Sequence, residues 1–199
     1  MIRYSKMKSD KGAVNERLIT YSDADHAGDI STRKSTLAAI FMMNNGPIAW
    51  YARVARFAAT SSTDAEVAAM VEAGNNLAYY REVMTFFRII GPEYSKKNQM
   101  MQREITQTGG DKRPIPLITY VDNTSAIILA KKGTTGSRTK HVGVRVARAH
   151  DIIEHEMIEY VHLGTKDMYA DILTKAVATE VMTNLLPKIM EIGDSVVHK

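Results

Sequence analysis

The sequence predicts an α/β fold, a single mixed sheet of three antiparallel strands followed by two parallel ones and flanked by helices. Three observations predict it. Apolar, β-prone runs at 18–21, 35–43 and 48–57 follow one another with turn formers between them. A long stretch with helical spacing comes next, after which two short strand runs, 115–121 and 158–163, alternate with helical segments. Meandering strands followed by alternating strands and helices require a mixed sheet with helices on its faces.

The elements follow in order. Residues 1–17 are mostly polar and read as a lead-in from an upstream region, leaving 18–199 as one domain. Leu18-Ile19-Thr20-Tyr21 is the first strand run, closed by the turn-rich Ser22-Asp23-Ala24-Asp25-His26-Ala27-Gly28-Asp29. Asn44-Asn45-Gly46-Pro47 is a hairpin signal between the second and third strands. Thr63-Asp64-Ala65-Glu66 has the pattern of a capping box, and Val67, Met70, Val71, Gly74, Leu77 and Met84 continue at helical spacing until Gly91-Pro92. Residues 93–114, with Thr-Gly-Gly-Asp and Lys-Arg-Pro, read as an exposed insertion. After the fourth strand, Asp122-Asn123 breaks the chain before a helix over 124–132. A basic loop through Gly133 and Gly136 leads into a helix over about 141–156, then the fifth strand, then a last helix from about Asp167.

Composition narrows the chemistry. The 199 residues include no cysteine, which excludes a disulfide framework, a Cys-ligated metal and a thiol nucleophile. The polar start has no apolar signal-peptide core, and the longest purely apolar stretch, Leu37 to Met43, is far too short to span a membrane. Both point to an intracellular protein without a membrane partner. The net charge of +4 permits a polyanion partner without requiring one.

Four carboxylates fall at related points of this layout: Asp23 and Asp122 at the ends of strands, Glu66 in the first turn of the long helix, and Asp171 near the start of the last helix. No local motif joins them. If the strands are neighbours and the helices point their N-termini to the same edge, the four converge. Their mutual repulsion then calls for cations, and carboxylates sharing their ligands with water and phosphate suit Mg²⁺. Each also has a plainer reading. Glu66 can close the capping box, Asp122 can start a turn or help cap the next helix, and Asp171 can favour a helix dipole. Asp23 shares its turn with Asp25 and Asp29.

At these same residues the sequence resembles the ribonuclease H domain of copia-type LTR retrotransposon polyproteins. The matching blocks are Tyr21-Ser-Asp-Ala-Asp-His-Ala-Gly-Asp29, Thr32-Arg-Lys-Ser-Thr36, Ile48-Ala-Trp50 and Ser61-Ser-Thr-Asp-Ala-Glu66. They continue with Tyr120-Val-Asp-Asn-Thr-Ser-Ala-Ile127, Arg138-Thr-Lys-His-Val142 and Ala170-Asp-Ile-Leu-Thr-Lys175, in the family's order. The chain departs from the family at His26, where Trp is usual, and at Val67, where an aromatic residue is usual.

The resemblance implies an RNase H-like fold and a site of four carboxylates, Asp23, Glu66, Asp122 and Asp171, holding two Mg²⁺ ions, with Mn²⁺ as a substitute. It implies hydrolysis of the RNA strand of an RNA–DNA hybrid during reverse transcription, alongside the reverse transcriptase domain of the same polyprotein, in a cytoplasmic particle or the nucleus. Lys131, Lys132, Arg138, Lys140, Arg145 and Arg148 are the candidate phosphate contacts, with His141, Arg145 and Arg148 sharing a helix face by their spacing. His141, His162 and Asp25 are accessory candidates, His162 being placed in a strand where a packing role suits it. The alternative is a module of the same descent that binds without cleaving.

Overall fold

The computed structural model describes residues 18–44, 46–91, 94–95, 116–136, 140 and 142–190. The lead-in at 1–17, nearly all of the insertion at 93–114, Arg138 and His141 lie outside them.

Five strands form one sheet, β1 (Ile19–Asp25), β2 (Thr36–Met43), β3 (Gly46–Val54), β4 (Leu117–Val121) and β5 (Ile158–His162), in the order β3-β2-β1-β4-β5. β1, β2 and β3 run antiparallel, and β4 and β5 lie parallel to β1, as the sequence pattern predicts. The helices are α1 (Ser62–Phe86), α2 (Thr124–Lys132), α3 (Gly143–His155), α4 (Asp171–Thr174) and α5 (Thr179–Met190). One face of the sheet carries α1, α2 and α3 over a core that includes Phe41, Met70, Leu77 and Ile152. The other is covered by α4, α5 and the chain just before α4, through Met168, Leu185 and Ile189 against Tyr21 and Ile40.

Three differences from the sequence reading matter for the site. β1 does not stop at Tyr21 but runs through the turn formers to Asp25, because Asp23, Ala24 and Asp25 pair with Ala38, Leu37 and Thr36 of β2. Its pairing with β4 covers only Ile19–Tyr21, so the two strands part company beyond that point. α1 begins earlier than the Thr63 box suggests: Ser61 is the N-cap and its hydroxyl accepts from the Asp64 backbone N–H at 3.1 Å. The single last helix from Asp167 is instead a 3₁₀ turn (Thr165–Asp167), the one-turn α4 and the separate α5.

Small residues bring α1 close to its neighbours. A Cβ on Gly74 would lie 2.7 Å from the Tyr160 hydroxyl and 2.9 Å from Ile152, so only glycine fits the crossing of α1 with α3 and β5. The Tyr160 hydroxyl, fully buried, donates to the Met70 carbonyl at 3.0 Å.

Candidate metal centre

The acid-bearing edge is where β1 and β4 diverge, at the carboxyl ends of the parallel strands. This is the position at which open α/β sheets leave a crevice for ligands. Asp23 sits on β1, on the face covered by α4, and is almost completely buried. Glu66, in the first turns of α1, reaches the same edge from the other face and is likewise buried. Asp122 follows the last residue of β4 and is half-buried. One oxygen from each of these three carboxylates lies within 4.8 Å of the other two. Asp171, at the start of α4, meets Asp23 from the opposite side.

Neighbouring side chains take the plainer roles. Ser61 and Asp64 organise the start of α1, with Asp64 Oδ2 accepting from the Thr60 backbone N–H at 2.9 Å. Glu66 is left out of the cap. Asn123, not Asp122, caps α2: its Oδ1 accepts from the Ala126 N–H at 3.0 Å. Asp122 instead accepts from the Thr165 hydroxyl at 3.2 Å. Asp25, at the end of β1, packs its carboxylate so tightly on Gly28 that a Cβ there would lie 2.0 Å from its Oδ2. That contact makes Asp25 part of the turn.

The electrostatics are those of a crowded, desolvated anion cluster. Burial first, then the charges of Asp23 and Asp122, push the Glu66 carboxyl from its ordinary 4.5 up to about 9. Burial and the charge of Asp23 raise Asp171 to about 6, and the same two causes raise Asp122. Glu66 Oε2 is buried with no hydrogen-bond partner. An orphaned buried carboxylate oxygen beside two more carboxylates is a hard, oxygen-only donor set that fits a divalent cation such as Mg²⁺.

Two residues of the site escaped a reading by residue type. The Thr174 hydroxyl donates to Asp23 Oδ2 and also lies 3.2 Å from the Asp171 carbonyl. Lys175 places its Nζ 3.1 Å from Asp171 Oδ1. Their spacing was the available signal, since positions three and four after Asp171 lie on its own face of a helical turn.

The basic candidates are dispersed. Lys131 and Lys132 are exposed at the C-terminal end of α2, roughly 12 Å of helix rise from the acid edge, and Lys140 is exposed as well. Arg145 is engaged inside the protein: its Nε and Nη2 donate to Asp64 Oδ1 at 2.9 and 2.6 Å, and its guanidinium lies 4.0 Å from the centre of the Phe57 ring. Arg148 donates to Asn75 at 2.6 Å. Both guanidiniums therefore link α3 to α1 or to the segment just before it. His162 ends β5 opposite Val121, on the strand as expected, but it is exposed rather than packed.

No family model matches the chain. It is 29% identical over 157 residues to the retrovirus-related Pol polyprotein from transposon TNT 1-94 of Nicotiana tabacum, covering 79% of this chain and 10% of that protein. It is 26% identical over 172 residues to the corresponding polyprotein from transposon RE1 of Arabidopsis thaliana, covering 86% of this chain and 10% of that protein. The chain thus spans about a tenth of the length of the curated relatives it matches. Among solved structures, LC11-RNase H1 isolated from compost superposes with a TM-score of 0.50 at 14% identity, covering 79% of this chain and 92% of that one. The fold is that of RNase H, and by sequence the chain is a relative of the retrovirus-related Pol polyproteins of plant transposons.

Proposed function

We propose that the chain is a ribonuclease H that hydrolyses the RNA strand of RNA–DNA hybrids, using two Mg²⁺ ions held by Asp23, Glu66, Asp122 and Asp171. The observation that carries this reading is the meeting of three carboxylate oxygens within 4.8 Å at the edge of an RNase H fold. Two such ions, held by these four carboxylates, would supply a water of lowered pKa and offset charge on a departing 3′ oxygen, the chemistry that gives 5′-phosphate and 3′-hydroxyl ends.

The chain's own residues provide the mount. Asp23, held on β1 and fixed by the Thr174 hydroxyl, is the central ligand, reached by Glu66 from one side and by Asp171 from the other. Thr165 restrains Asp122, the most exposed of the four acids. Glu66 is an acceptor suited to a 2′-hydroxyl beside the scissile phosphate, which is the group that marks RNA. Recognition then rests on the shape and hydroxyls of a wide minor groove rather than on sequence. Lys131, Lys132 and Lys140 contact phosphates, and the reverse transcriptase domain of a longer polyprotein supplies further grip on the hybrid.

The test incubates the protein with a labelled hybrid and Mg²⁺ beside Asp23→Asn and Asp122→Asn. The expected outcome is internal cleavage of the RNA strand, abolished by either substitution, with hybrid affinity falling steeply as salt rises. Binding without cleavage by the unsubstituted protein would establish a module that no longer cleaves. Cleavage indifferent to both substitutions would remove these acids from the site.

A further inference from the structure

The acid cluster carries a cation of its own. Lys175 follows α4 directly, in extended backbone (φ −142, ψ 158), one residue beyond the threonine that holds Asp23. Its ammonium lies 3.1 Å from Asp171 Oδ1, pairing a lysine side chain that is 41% exposed with an aspartate side chain that is 4% exposed. Lys175 thereby stands at the Asp171 corner of the cluster, in which oxygens of Asp23, Glu66 and Asp122 lie within 4.8 Å of one another. The pair opens on a cleft of about 560 Å³ bordered by both Lys175 and Asp171, together with Thr165, Lys166 and Asn184.

We propose that Lys175 is the resident counter-cation of the cluster, a positioning residue that holds the carboxylates together in the metal-free protein and competes with divalent ions for them. The proposal rests on the metal-site reading above. Its physical basis is simple: a fixed positive charge beside the ligands offsets repulsion when no metal is present, and opposes the entry of a second positive charge.

The experiment compares the parent with Lys175→Met, Lys175→Gln and Lys175→Arg. Mg²⁺ affinity is measured by calorimetry and urea stability is measured in EDTA. The expected result is that both neutral variants bind Mg²⁺ about tenfold more tightly while losing metal-free stability, and that the arginine variant matches the parent. A merely structural ion pair predicts the stability loss without tighter binding, so unchanged or weaker Mg²⁺ affinity in a neutral variant that remains folded by circular dichroism overturns the proposal. A parent that does not bind Mg²⁺ overturns it together with the metal site. Tighter binding in variants of a parent that cleaves no hybrid supports the counter-cation and overturns the nuclease reading alone.

Discussion

Glu66→Gln in metal-free protein isolates the cost of assembling the acid cluster. Burial and the charges of Asp23 and Asp122 raise the Glu66 pKa from 4.5 to about 9. The folded protein therefore keeps a proton that the unfolded chain releases. The stability associated with that proton is fully present below about pH 4.5 and is lost progressively as pH rises toward about 9. At about 1.4 kcal/mol per pH unit, the loss between about pH 5 and pH 7.5 is on the order of 3 kcal/mol. Glutamine has nearly the same shape, is always neutral, and keeps an oxygen for the Ala24 N–H that the carboxylate accepts from. Urea unfolding in EDTA, followed by circular dichroism at both pH values, should show the variant gaining about 3 kcal/mol on the parent at the higher pH. Adding Mg²⁺ should stabilise the parent far more than the variant. Parallel pH profiles for the two proteins in EDTA would refute the reasoning, because Asp122 and Asp171 titrate in both and only Glu66 differs.

Arg145→Ala strips a buried carboxylate, Asp64, of its cation, and the expected cost is about 3–5 kcal/mol in urea unfolding. The same substitution should leave the salt slope of hybrid binding unchanged, since that guanidinium is committed to Asp64. Gly74→Ala drives a methyl group against Tyr160 and Ile152 and should lower stability by about 1–3 kcal/mol, seen as a reduced urea midpoint at unchanged m-value.

The strand and helix order was legible because it is written in apolar periodicity, which survives without knowledge of contacts. Boundaries were less so, and β1 shows why. Ser22-Asp23-Ala24-Asp25 has the composition of a turn, yet pairing with Ala38, Leu37 and Thr36 keeps it extended. Tertiary hydrogen bonding outweighs local preference there. The sequence pattern places the cap of α1 at Thr63, two residues late, because Ser61, Ser62 and Thr63 are interchangeable as caps by type and only the fold selects among them. The candidate acids can be named from sequence, but only the fold shows that Ser61 and Asn123 perform the capping roles open to Glu66 and Asp122. By type and spacing Arg145 is a candidate phosphate contact, because a basic residue on a helix announces charge and not partner. Its partner, Asp64, lies eighty-one residues away in sequence.

The smallest helix of the protein has a consequence out of proportion to its length. Asp171 and Thr174 stand on α4, a single turn of four residues with a 3₁₀ turn before it and extended chain after it. One turn gains nothing from helical cooperativity, so α4 is held by the burial of Met168 and Ala170 beside it and by the Thr174–Asp23 bond. Asp23, Glu66 and Asp122, in contrast, are seated on the seven-residue β1, on the twenty-five-residue α1 and directly after β4, all parts of the main sheet or its longest helix. The place of Asp171 at the acid cluster is therefore set by tertiary contacts and not by local helix formation, so a change at Thr174 or Met168 would displace that carboxylate without touching it.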